Sequence, residues 1–162
     1  MENSKQIHIE YHQDPSGPSI RIAVSSEEGV IVLKYILRKL ADGSVNECKL
    51  HELTFVHLTG LKEMHLRVVD RRPALMRTVR IVQLGEGNPV PYWSTSLEGW
   101  EECVGLVEGL FVKKIPSHQY LSMEKIDDAL IILSYLEGGK DLHREPVGKN
   151  LRTPNNLIFC SG

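Results

Sequence analysis

A chain of 162 residues is the size of one ordinary domain, long enough to bury a core without disulfides or a structural metal. Its net charge of −2 excludes a surface built throughout for nucleic acid or anionic membrane. Three cysteines (Cys48, Cys103 and Cys160), none spaced C-x-x-C, argue against a disulfide framework and against a zinc ribbon.

The opening residues, MENSKQIHIEYHQD, lack the basic start and apolar run of a secretory signal. No stretch approaches the ~18 consecutive apolar residues of a membrane span. The expected setting is therefore the cytoplasm, with no membrane partner.

QIHIEYHQ (6–13) alternates, with Ile7, Ile9 and Tyr11 on one side and Gln6, His8, Glu10 and His12 on the other. That is the period of a half-buried strand. The turn cluster DPSGP (14–18) separates it from a second alternating run, SIRIAV (19–24), so the pair predicts a hairpin. Over 25–43 the period changes. Val30, Leu33, Leu37 and Leu40 recur every three or four residues, Ser25 or Ser26 can cap the start, and Gly43 can supply the left-handed stop.

LHELTFVHL (50–58), KEMHLRVVD (62–70) and LMRTVRIVQL (75–84) predict three strands, joined by turns short enough for hairpins. GEGNPVPYW (85–93) predicts a loop from its glycines and prolines. TSLEGWEECVGLVEGLF (95–111) predicts a helix. Thr95 and Glu98 have capping-box spacing, and Leu97, Trp100, Val104, Val107 and Phe111 form its apolar stripe, widened by Cys103 and Leu110.

IDDALIILSYLE (126–137) is apolar on both alternating faces, as a central strand is. Residues 138–162 are polar and without period, and predict a loosely docked C-terminal tail behind a single domain over 1–137. The order β-β-α-β-β-β-α-β, with consecutive hairpins, predicts an α+β fold. Its sheet is mostly antiparallel, with two amphipathic helices on one face.

Few residues here carry a chemical signature. His118 stands near Tyr120, Asp127 and Asp128, and a histidine beside paired carboxylates can hold a metal or move protons. Yet the spacing matches no metal motif, and adjacent aspartates in a strand point to opposite faces. His8 and His12 can share a strand face, and His57 and His65 can meet across a hairpin. With His51 and His143, these are read as a solvated sheet face.

No G-x-S-x-G elbow is present, and no cysteine has the cationic neighbours a reactive thiolate needs. GEGNP (85–89) lacks both the dinucleotide and the P-loop pattern. Charge is segregated. Lys62, Arg67, Arg71, Arg72, Arg77 and Arg80 crowd one region, while Glu98, Glu101, Glu102 and Glu108 gather on one helix. Tyr92 and Trp93 are interface anchors if exposed and a hydrophobic staple if buried.

The run WSTSLEGWEECVGLVEGL, then HQYL, then DDALIILSYLE, spans 93–137 with a gap. It resembles the C-terminal half of small bacterial proteins of the toxin-immunity type. That resemblance implies a protein that binds and blocks a toxin through a charged surface, and the acidic helix is compatible with it. The basic segment is not what an inhibitor of a basic nuclease uses.

The expected function is thus a non-enzymatic protein-binding module without cofactor or metal. Its contacts are Tyr92, Trp93, Glu101, Glu102 and Glu108, its partner is a protein, and a homodimer is left open. The alternative is a small metal-dependent or hydrolytic enzyme using His118 with Asp127 or Asp128.

Overall fold

A computed structural model describes residues 7–69, 78–83, 87–112, 115–121 and 129–135. The α+β class is as expected, with two helices and nine strands among these residues, but the strands form two sheets. Four of the seven strand pairings are antiparallel. The expected tail, 138–162, lies outside the described residues.

The first sheet has the order β4-β1-β2-β9-β8. Its strands are β1 (Ile7–Asp14), β2 (Gly17–Val24), β4 (Val56–Thr59), β8 (Ser117–Tyr120) and β9 (Leu130–Tyr135). β1 and β2 form the expected hairpin, closed around Gly17 at φ 121°. β4 joins β1 in parallel, and β9 joins β2 in parallel. Apolar rows therefore cross the sheet, Val56–Ile7–Val24–Tyr135 in one and Leu58–Ile9–Ile22–Leu133 in the next. Nearly all of these side chains are buried, and full burial of one such side chain stabilises by about 1.5–3 kcal/mol. β9 lies between β2 and β8 and is buried on both faces, as its continuous apolar run implies.

α1 (Glu27–Ala41) starts at Ser26, whose Oγ accepts the Gly29 N–H at 3.1 Å, and stops at Gly43 with φ 74°. Its expected stripe, Val30, Leu33, Leu37 and Leu40, is buried. α2 (Leu97–Val112) packs against it. The two are joined where Arg38 donates to Glu108 at 2.9 Å, and Lys34 reaches the same carboxylate. Ser96, not Thr95, accepts the Gly99 N–H. Thr95 instead ends a strand and is fully buried. A Cβ on Gly99 would stand 1.9 Å from its Oγ1, so this helix start admits only glycine. Leu97, expected on the stripe, is exposed at the helix start.

The second sheet, β3-β5-β7-β6, departs most from expectation. The single strand expected over 50–58 is instead a 3₁₀ turn at Leu50–Glu52 followed by β4 in the other sheet, and the strand of this sheet, β3 (Glu47–Lys49), comes just before it. The apolar residues Leu50, Leu53, Phe55, Val56 and Leu58 do not alternate, so one flat strand cannot bury them all. Gly60 then turns the chain away at φ 74°, where a Cβ would meet the Tyr11 carbonyl oxygen at 3.0 Å.

β5 (His65–Val68) pairs with β3 and, in parallel, with β7 (Pro89–Thr95), not with the strands beside it in sequence. The expected loop 85–93 thus contains most of β7. Among the described residues, β5 pairing begins only at Tyr92, so Pro89 and Pro91 pair on one side alone, where a missing N–H is tolerated. β6 (Thr78–Gln83) closes this sheet against β7.

One apolar core runs through both sheets and both helices. Trp93 and Trp100 meet edge to face at 4.9 Å between β7 and α2. The Trp100 indole N–H donates to the Arg67 carbonyl at 3.0 Å, tying α2 to β5.

Candidate functional site

The expected contact residues separate sharply. Trp93 is 1 % exposed, so burial selects the core reading and removes it from any interface. Tyr92 points to the other face of β7, half-buried, with the His65 ring stacked on it at 4.6 Å and the Arg67 guanidinium 4.2 Å from its centroid. Glu108 is engaged by Lys34 and Arg38, and these bonds, Lys34 first, hold its carboxyl below the usual carboxylate range. Glu98, Glu101 and Glu102 are exposed on α2.

His118 lies on β8 in register with Ser134. The row continues through Ala23 to His8 and His57, which puts three strand spacings, about 14 Å, between His118 and His8. Asp127 and Asp128 lie outside the described residues, as do Arg71, Arg72, Arg77, Cys160 and His143.

A concave apolar surface was not foreseen. A groove of about 650 Å³ runs between α1 and the segment 44–55, lined by Ile31, Tyr35, Val45, Cys48, Leu53 and Phe55. Ile31 and Tyr35 are 63 % and 61 % exposed. They are four residues apart and share one helix face. Lys39 lies over the Tyr35 ring at 5.3 Å. The signal was present in the sequence as two apolar residues off the stripe of α1, but only the fold shows that they overhang a groove. Cys48 lines that groove, in surroundings that favour the neutral thiol over the thiolate. Burial first, then Glu47 and Glu52, pushes its thiol up to about 11.

A polar cluster stands at the near edge of β5, where His65, expected to be solvated, is 6 % exposed. Its Nδ1 is 2.8 Å from Glu47 Oε1 and its Nε2 is 3.1 Å from Glu63 Oε2. The hydrogen bond from His65, more than any other cause, holds both glutamates below the usual carboxylate range. Arg67 Nε also donates to Glu47 at 3.0 Å. His51, from the 3₁₀ turn, accepts the Met64 N–H at Nδ1 and stands 5.1 Å from the His65 ring. The pairing of His57 with His65 does not occur. His57 lies instead 4.9 Å from His8, across the parallel β1–β4 pair.

No known protein family, curated protein or solved structure matches the chain. Among the described residues, no helix is long and apolar enough to cross a membrane.

Proposed function

We propose that the protein is a non-enzymatic binding module whose groove beside α1 takes an apolar, basic-flanked segment of a partner protein. The observation that carries this reading is the pair Ile31 and Tyr35, left in water at 63 % and 61 % above a groove of apolar side chains. Covering such surface returns roughly 25 cal/mol per Å² of apolar area. A contiguous apolar concavity is the feature on which a partner's anchor side chain seats.

Charge supplies the partner's flank. Glu27 and Glu28 are exposed at the start of α1, and Glu98, Glu101 and Glu102 along α2. The first turn of α2 comes up to Gly43, where Leu97 would lie 3.7 Å from a Cβ, next to Ser44 and Val45 of the groove. A basic flank complements these carboxylates. Of the contacts expected from sequence, Glu101 and Glu102 are retained in this reading, and Tyr92, Trp93 and Glu108 are replaced by Ile31, Tyr35 and Val45. An immunity-type inhibitor, the kind of module implied by the resemblance over 93–137, fits a surface of this composition.

The test is photo-crosslinking in the native cell with Ile31→p-benzoylphenylalanine, against Val112→p-benzoylphenylalanine at a position that is 76 % exposed elsewhere. The expected result is one dominant adduct from position 31, mapping to an apolar stretch flanked by Lys or Arg, abolished by Tyr35→Asp and weakened by Glu101→Lys with Glu102→Lys. Equal labelling from both positions, or none from position 31, overturns the reading. An adduct with a second copy of the chain assigns the groove to a homodimer interface instead.

A further inference from the structure

We infer that His51, Glu63 and His65 form a binding site for a divalent transition-metal ion of the zinc type, beside the groove that Glu47 also lines. One ligand atom from each of the three lies within 4.8 Å of those of the other two. Two imidazoles and a carboxylate are a ligand set that zinc takes when one coordination position is left open. Tetrahedral zinc holds such ligands roughly 3.4 Å apart, so side-chain adjustments on the order of 1 Å close the site.

The chemistry of His65 points to a cation. A neutral imidazole has one N–H and one lone pair. If Nδ1–H donates to Glu47 at 2.8 Å, the lone pair on Nε2 faces the Glu63 carboxylate at 3.1 Å, acceptor against acceptor. A metal ion between them relieves this. The ion satisfies both acceptors at once and draws in His51. That side chain gives up only a long 3.3 Å bond from the Met64 N–H.

The supports are those of a held ligand. Glu47 fixes the His65 ring through Nδ1, as carboxylates do behind metal-bound histidines. Glu47 is itself held by Arg67 at 3.0 Å, and the ring cannot swing because Tyr92 is stacked on it at 4.6 Å. Glu63 is 47 % exposed on its side chain, so the fourth position opens toward solvent. Glu47 is a positioning residue here, not a ligand.

The experiment is titration of the tag-free full chain with Co²⁺, read by the visible bands of tetrahedral cobalt, followed by displacement with Zn²⁺. One equivalent is expected to bind. Glu63→Gln and His51→Gln, both at partly exposed positions, are expected to weaken binding at least tenfold while circular dichroism stays that of the parent. Glu47→Gln is expected to weaken it about 10–100-fold with the same band positions, because the first ligands are unchanged. His8→Gln and His12→Gln should leave it untouched. Absence of cobalt bands in the parent chain overturns the site whatever the variants do. So does binding that survives Glu63→Gln and His51→Gln, or that is lost in His8→Gln instead.

Discussion

Two sets of histidines and glutamates sit on the two sheets, and they differ in how the backbone delivers them. His8, Glu10 and His12 come from one strand at a spacing of two. They share a face, and Glu10 reaches both neighbours, at 3.4 Å and 3.1 Å. But four residues of strand separate His8 from His12 by about 13 Å, so the set is a line and cannot close on one point. His51, Glu63 and His65 come from a 3₁₀ turn, a connecting segment and a strand start, and they converge within 4.8 Å. The same residue types make a solvated row where one strand presents them and a centre where turns gather them.

If that contrast is right, the second set should depend on the core beneath it and the first should not. Trp93→Ala removes the side chain packed on Trp100 and paired in register with Leu66 of β5. It should destabilise the protein by about 3–5 kcal/mol in urea unfolding. It should also shift the His51 and His65 resonances while leaving those of His8 and His12 in place. Equal perturbation of both sets would erase the distinction.

Direct truncation is the next largest test. His65→Ala strips a buried ring of two carboxylate contacts and a stacked tyrosine, and should destabilise by about 1–3 kcal/mol. His12→Ala, on the row, should stay within about 0.5 kcal/mol. Urea midpoints of the two variants measured side by side check the ordering.

A smaller effect comes from Cys48, beside Glu47. Its folded thiol titrates near 11 against an ordinary 9.0, so the fold favours the neutral thiol. The thiol's contribution to stability is therefore intact below pH 9 and is lost as pH rises through about 11. Cys48→Ala should flatten the alkaline fall of the urea midpoint over that window. An unchanged slope would show that the thiol is not the group responsible.

The smallest effect falls on the row. Burial first, then repulsion from His57 and Arg21, lowers His8 below 6.5, with Glu10 opposing. A histidine lowered in the folded state supports the fold above about pH 6.5 and loses that support as pH falls through its folded value. His57→Ala removes one repulsion and should raise the His8 titration midpoint in a proton NMR series. A midpoint that does not move would place the repulsion elsewhere.

In the first sheet the β1–β2 hairpin and β9 were readable because their signals are local, whereas β8 (Ser117–Tyr120) carries no such signal. The β1–β2 hairpin needs only two alternating runs and a turn. β9 announces burial on both faces through Leu130–Leu133, and α1 and α2 carry their stripes. The second sheet was not readable in the same way. β7 hides behind Pro89 and Pro91, and β5 finds its partners at β3 and β7 rather than at the strands next to it in sequence. Seven histidines could be counted in the chain, but their grouping follows pairings between distant segments. His57 was expected beside His65 across a hairpin, and a parallel pairing with β1 took it to the other sheet.

By itself, the sequence determined the class, the two helices, the hairpin and the central strand, because periodicity and turn chemistry act over a few residues. Only the tertiary structure decided which side chains meet. It buried Trp93, tied Glu108 to α1, left Ile31 and Tyr35 over a groove, and gathered His51, Glu63 and His65. Convergence of that kind depends on which strands pair across long stretches of chain, and long-range pairing is set by the burial of the whole core and not by any local run of residues.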